Sequence, residues 1–542
     1  MSKKRRKIPT KAELLQLQKL YKTDERIGER LGGVPAYLVA YWRRKKNIPK
    51  YSLPKFSETE IRNLWERYGD DEKAGLELGI SKAAFYNWRR RYGIREKPAF
   101  LKLEQLELNF PGSKQPAHAM SLYGKRTVAQ KILARAAGKE RAEVGEEVAI
   151  EPDLLVSAGN AAEVIGEFKR RSGEFVFNPA RIALLLGEDR SSDNGGQATA
   201  QKAVREFAKR QGIKACYDLR DGTCHQVIVE KGLVLPGQAV LGTANTATGF
   251  GCMSAAAGTV SASVMADIWT AGRHTVTIPD TVRITLNGRR YRSVHAVDVA
   301  LSLFNQLAAD ALKGKAVEFA GSVISQMSIG ERFALSALTS YTGASFVSCT
   351  YDATARRYLT GRTVTRYQPI LPDKDAEYKE LYQITIDQLI PQVALDANAA
   401  QVRPVAELAD TAVQQVVLGA CTAGRFEDLR VASDILKGKQ VHEDCRLLII
   451  PGSRTVYLEA LKKGLIRVFV EAGAVVLNPG CGTGILTQEA LLAPGERCLT
   501  TTPLPSSAKP SGGKAEVYLC SPATAAASAL NGTITDPTHY GR

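Results

Sequence analysis

Long apolar runs are missing from this 542-residue chain. No stretch offers the roughly eighteen consecutive apolar residues that a membrane-spanning helix needs, so no membrane partner is expected. The opening residues, MSKKRRKIPTKAE, are basic but lack the apolar stretch of a signal peptide, which points to the cytoplasm. Cysteine is sparse. Nine cysteines scattered over this length do not make a disulfide framework and fit a reducing compartment. No short Cys/His spacing marks a zinc site. The glycine-rich stretch GCGTG (480–484) is not followed by the Lys-Ser/Thr of a phosphate loop, which excludes that motif.

What is present begins with charge. Residues 1–100 hold 25 Lys+Arg against 12 Asp+Glu, whereas the remainder holds 48 against 44. The net charge of +17 is therefore concentrated in the head. A local surplus of that size favours a polyanion such as DNA. The head is also a tandem repeat: Trp42-Arg43-Arg44-Lys45-Lys46 recurs as Trp88-Arg89-Arg90-Arg91, 46 positions later. In the second copy Ser57-x-x-Glu60 is a capping box, a helix follows from about Asp71 to Leu78, Gly79 makes the turn and Ser81 caps a third helix. Gly32-Gly33 and Pro35 take the corresponding places in the first copy. Helix, glycine turn and basic helix form the helix-turn-helix pattern. Residues 1–50 and 51–98 are read as its two copies, and the Pro/Gly/Ser-bearing 99–120 as a linker. The candidate DNA-binding residues are Arg43, Arg44, Lys45 and Lys46 in the first copy and Lys82, Asn87, Arg89, Arg90 and Arg91 in the second.

From Ser121 onward the pattern alternates short apolar runs with helical stretches. The runs at 182–186, 416–421, 446–452 and 474–480 each end at a turn, and 198–211 and 425–438 read as helices between them. This is the signature of an α/β body with mainly parallel sheets.

The segments DGTCHQVIVEKGLVLPGQAVLG, AVEFAGSVISQMSIGERFAL, LGACTAGRFEDLRVASDILKGKQV and YLCSPATAAASALNGTITDP resemble, in order, the large subunit of 3-isopropylmalate dehydratase in the aconitase family. The likeness runs from about Ser121 to Pro537. It implies three α/β/α layered domains around a cleft, over residues 121–542. It also implies a [4Fe–4S] cluster on three cysteines, and a catalytic serine supplied by a separate small, swivelling subunit.

Residue by residue, the resemblance carries over only in part. Cys421 in LGACTAG and Cys481 in NPGCGTGILT match two cluster ligands, and the third position is Gly484. Cys498 is the cysteine nearest in sequence that can stand in for the third. The family's Asp-His pair falls on Gly187-Glu188, and its Asp-Ser-His-Thr motif on Thr243-Ala244-Asn245-Thr246. Its two carboxylate-binding arginines fall on Pro505 and Pro510, leaving Lys509 as the nearby cation. His225 and Glu318 match a retained active-site histidine and the carboxylate that pairs with it.

These losses lead to an expected DNA-binding regulator. Its disarmed body would sense a small carboxylate or mediate assembly, self-association included, and would hold no cofactor. The alternatives are an Fe–S hydro-lyase of altered specificity completed by a separate small subunit, with its cluster on Cys421 and Cys481, and a non-enzymatic scaffold.

Overall fold

Three short helices occur twice in the head: α1 (Lys11–Tyr21), α2 (Asp24–Arg30) and α3 (Ala36–Lys45), then α4 (Glu58–Tyr68), α5 (Asp71–Glu77) and α6 (Lys82–Arg91). Their starts are set by side chains that accept from otherwise unbonded helix amides. Thr23 accepts from Arg26 N and Ser81 from Ala84 N, while Ser57 and Glu60 exchange the two bonds of the predicted capping box. Glycine matters at one place in each copy. A Cβ on Gly28 would lie 2.0 Å from the Val34 carbonyl oxygen, and one on Gly75 would lie 2.9 Å from that of Ile80. The turn thus folds directly onto the second helix. Each copy has its own core, Ile27, Val39 and Trp42 in the first and Ile61, Ala74 and Phe85 in the second.

The computed structural model describes the chain apart from residues 1–7, 22, 49–55, 69, 79, 95–124, 172, 187–193, 219, 223–224, 309, 397–400, 481–491, 504–514 and 541–542. The chain divides into two compact units, Met1–Ala117 and His118–Arg542. The linker read at 99–120 lies outside the described residues.

In the second unit a nine-stranded sheet runs in the order Glu380–Thr385, Thr281–Asn287, Ala316–Ala320, Phe346–Cys349, Ala256–Thr259, Ala239–Gly242, Leu154–Ala158, Ile182–Leu185 and Ala215–Tyr217. Its neighbours are parallel except at one seam, where Phe346 and Val347 face Gly258 and Ala257 antiparallel. A seven-stranded sheet runs Val402–Pro404, Gln392–Ala394, Glu516–Cys520, Arg497–Thr500, Gln415–Gly419, Arg446–Ile450 and Val475–Val476. The apolar runs predicted as strands at 182–186, 416–421 and 446–452 are strands, and the predicted helices are Asn194–Gln211 and Phe426–Leu436. The strands Ile182–Leu185 and Gln415–Gly419 are buried on both faces, as parallel sheets covered by helices require. Three layered domains were expected. The body carries a nine-stranded sheet continuous across the antiparallel seam, a seven-stranded sheet, and a two-stranded pair of Glu147–Ile150 with His274–Thr277.

Candidate functional site

Cys421 sits where the strand Gln415–Gly419 of the seven-stranded sheet ends and the four-residue helix Ala420–Ala423 begins. The backbone there is strained. Gly419 has φ +127° and Ala420, a residue with a Cβ, has φ +61°. A Cβ on Gly419 would meet the Ile450 carbonyl oxygen at 2.0 Å, so only glycine fits. Threonines hold the loop: Gly419 N donates to Thr501 Oγ1 (2.8 Å), Thr422 Oγ1 to the Thr501 carbonyl (2.6 Å) and Thr502 Oγ1 to the Gly419 carbonyl (3.0 Å). Strain of this kind persists only where surrounding bonds over-determine it, which marks the loop as a built feature. The Cys421 side chain is buried.

Cys498 does not serve this loop. On the strand Arg497–Thr500 it lies opposite Gln415, at the start of the neighbouring strand, whereas Cys421 follows that strand's far end. Four residues of strand separate Gln415 from Gly419, about 13 Å at the usual rise. The Cys498 thiol donates to the Leu499 carbonyl at 3.5 Å, and burial pushes its pKa up to about 12, so it stays protonated. Cys481 and Gly484 lie outside the described residues, as do Gly187, Glu188, Pro505, Lys509 and Pro510. No group of three or more His, Cys, Asp or Glu side chains poised for a metal occurs among the described residues. By sequence the donor set is Cys421 and Cys481, with Gly484 at the third position that the resemblance implies, and of the two cysteines only Cys421 lies among the described residues.

His225 starts the short helix Gln226–Glu230 and is 3% exposed. Its Nδ1 lies 3.3 Å from Thr246 Oγ1, and its ring packs 5.4 Å from that of Phe250. Burial drives its pKa down to about 4, so the imidazole is neutral at physiological pH. Its Nε2 is buried without a hydrogen-bond partner among the described residues. Glu318 is not the partner of His225, contrary to expectation. Glu318 accepts from the Val128 amide at the start of the helix Val128–Ala136 and from Tyr378 Oη (2.8 Å), which in turn accepts from Arg283 Nη1 (3.1 Å). It caps a helix with one oxygen and accepts from Tyr378 with the other. Burial raises its pKa even so.

Sequence reasoning missed Arg425. It stands directly behind the cysteine loop, buried to 3% exposure, with its guanidinium 4.6 Å above the Phe333 ring. Its guanidinium nitrogens have no hydrogen-bond partner among the described residues. Nearby Asp428 accepts from the Arg425 amide at 3.1 Å, and burial pushes its pKa up to about 7. A small cavity of about 190 Å³ opens beside them, lined by Gln226, Phe333, Tyr358, Arg362, Arg425 and Glu427. The signal was in the sequence, an arginine four residues after the cysteine in CTAGR, but it read as a helix start.

The head sorts its basic residues into two kinds. Arg43 and Arg89, expected on a DNA face, are buried structural residues instead. Arg43 grips both Asp24 oxygens (2.9 and 2.8 Å) and donates to the Ile48 carbonyl (3.1 Å). Arg89 does the same with Asp71 (2.8 and 3.0 Å) and the Ile94 carbonyl (2.8 Å). Arg44, Lys45, Lys82, Asn87, Arg90 and Arg91 are exposed, and Lys46 is half-buried.

A family model described as the aconitase family (aconitate hydratase) matches residues 186–532. This chain belongs to the aconitase family. It is 36% identical over 416 residues to 3-isopropylmalate dehydratase large subunit 1 of Methanopyrus kandleri, an alignment spanning 77% of this chain and 99% of that protein. A probable 3-isopropylmalate dehydratase large subunit of Methanothermobacter thermautotrophicus is 37% identical over 412 residues, 76% of this chain and 98% of that protein. A probable methanogen homoaconitase large subunit of the same organism is 32% identical over 418 residues, with 76% and 98% covered. The aconitase-family match begins at residue 186, so none of it falls on the basic head. These relatives weigh toward hydro-lyase chemistry rather than DNA binding, which is where the sequence had pointed first. They also make an iron–sulfur centre possible, so the expectation of no cofactor finds no support in them. No helix among the described residues is long and apolar enough to cross a membrane.

Proposed function

We propose that the body of this aconitase-family chain is a hydro-lyase module of altered specificity, acting on a small hydroxy-di- or tricarboxylate and completed by a separate small subunit. The observation that carries this is the 36% identity along 99% of a dehydratase large subunit. The strained Cys421 loop, held by Thr501 and Thr502, supports it, because a family device is kept at an energetic cost. Within the site, the neutral His225 imidazole offers its buried Nε2 to a substrate hydroxyl or carboxyl group, while Thr246 Oγ1 fixes the ring through Nδ1. Glu188, Thr243, Asn245, Pro505 and Pro510 stand at the family's acid–base and carboxylate-binding positions, which is the reason for placing the specificity elsewhere than in the relatives. The test is turnover of 3-isopropylmalate, cis-aconitate and homoaconitate by the protein prepared anaerobically with a co-expressed small subunit. A complex inert toward all three overturns this reading.

A second reading concerns the head. Two three-helix units, each presenting an exposed basic third helix, support a helix-turn-helix pair that binds DNA and couples it to carboxylate binding in the body. Affinity for duplex DNA that falls steeply with added salt is its signature, and its absence overturns the reading.

A further inference from the structure

The two head units are alike where they are buried and unlike where they are exposed. Helices α4 and α5 follow α1 and α2 at an offset of 47 residues, and α6 follows α3 at 46, the difference being one residue fewer in the turn. The buried parts correspond across these offsets. Val39 matches Phe85, Trp42 matches Trp88 and Ile48 matches Ile94, all in the two cores. The Arg43–Asp24 lock and its bond to the Ile48 carbonyl reappear as Arg89–Asp71 and Ile94. The close approach at Gly28 reappears at Gly75. The same lock therefore fixes the third helix on its scaffold in the same way in both units.

The outward positions of those third helices differ. Tyr37, 71% exposed, corresponds to Ala83, and Tyr41, 54% exposed, corresponds to Asn87. Ala40 corresponds to Tyr86, which is 40% exposed. Only the following cations are kept, Arg44 with Arg90 and Lys45 with Arg91. A pair of docking helices held identically makes the same approach to a duplex. Conserved cations on both suit the invariant phosphate backbone, whereas unlike side chains at the exposed positions suit unlike base edges. An asparagine matches adenine through two hydrogen bonds, and a tyrosine offers a hydroxyl and an apolar face instead.

Resting on the DNA-binding reading of the head, we propose that its two units together recognise one asymmetric duplex DNA site made of two different elements in direct order, Tyr41 reading one and Asn87 the other. A symmetric dimer of one unit reads a palindrome. A covalent tandem with divergent outer faces has no two-fold axis to impose one. The short stretch of chain between Ile48 of the first core and Phe56 of the second keeps the second unit close to the DNA once the first is bound, so each adds to the other's affinity. Duplex DNA is preferred over RNA as the occupant because a helix enters the B-form major groove and is excluded from the narrow A-form one.

The experiment uses the full chain. Duplexes with a random core are selected for binding, and the enriched sequences are then measured by fluorescence anisotropy at several salt concentrations beside an RNA hairpin. The expected result is a motif of two non-identical elements. Tyr41→Ala relaxes the preference at one and Asn87→Ala at the other, each with about 10-fold weaker binding. Both side chains are exposed, and an unchanged thermal unfolding curve confirms that each variant is folded. A palindromic motif, or a single element lost equally in both variants, overturns the asymmetric site while leaving DNA binding in place. Absence of salt-dependent affinity for duplex DNA, or tighter binding of the hairpin, overturns the DNA reading itself.

Discussion

The Arg89 guanidinium holds the Asp71 carboxylate through two hydrogen bonds of 2.8 and 3.0 Å and lies 3.8 Å over the Trp65 ring. Three helices meet at this one side chain, since Trp65 is on α4, Asp71 on α5 and Arg89 on α6. Removing one partner of such a buried pair leaves the other charge uncompensated. Arg89→Gln is expected to destabilise the second head unit by about 3 kcal/mol, seen as an earlier denaturant transition of the head. Arg90→Gln, an exposed neighbour, leaves that transition within about 0.5 kcal/mol. Equal effects of the two changes contradict the structural assignment of Arg89.

The cysteine loop makes a pair of opposite predictions. Ala420→Gly removes the penalty of a Cβ at φ +61° and is expected to raise stability by about 1 kcal/mol. Gly419→Ala forces a methyl against the Ile450 carbonyl and is expected to lower it by at least ~2 kcal/mol. Thermal midpoints of the two variants, measured side by side, check the sign of each.

Iron follows the strand register. Whatever iron and sulfide the anaerobically prepared protein holds is expected to fall in Cys421→Ser and to stay unchanged in Cys498→Ser, since Cys498 opens the strand next to Gln415. Gly484→Cys restores the third thiolate of the family pattern and is expected to raise both contents. Elemental analysis decides, and a loss in Cys498→Ser as large as that in Cys421→Ser contradicts the register argument.

His225 supplies a pH dependence. Its folded pKa of about 4 is below the ordinary 6.5, so the unfolded chain binds the extra proton first. Its contribution is fully present above pH 6.5 and is lost as the pH falls toward 4. Over that window the parent protein is expected to lose roughly 3 kcal/mol more stability than His225→Gln. Asp428, with its pKa pushed up to about 7, titrates in the opposite sense in both proteins and cancels in the comparison.

Local signals in the sequence matched the structure well. The Ser57–Glu60 capping box, the Ser81 N-cap and the apolar strands at 182–186 and 446–452 are set by residues within a few positions of each other. What was not legible depends on distant partners. Arg43 and Arg89 look like surface cations beside a tryptophan, and only the aspartates 19 and 18 residues earlier reveal them as buried locks. The pairing of His225 with Glu318 came from resemblance alone, and the helix beginning at Val128 claimed the carboxylate. Cys498 is near Cys481 in sequence, but parallel strand register sets where it lies along the sheet. Arg425 is unusual only through its burial without a hydrogen-bond partner, which no spacing rule encodes.

The antiparallel seam at Phe346–Val347 and Ala257–Gly258 also limits how the body can move. A hinge between the two halves of the nine-stranded sheet would have to break backbone hydrogen bonds at a seam whose residues Phe346, Val347 and Ala257 are buried. That slab is mechanically one plate. The seven-stranded layer, the one that carries Cys421 and Arg425, is fastened to that plate in turn: Ala394 and Leu519 share the core of Val282 and Ile284, and Ser328 and Ser453 donate to Glu427 and Glu230 across the join. In this body the residues nearest the chemistry sit on a layer that core packing and hydrogen bonds both tie to the plate.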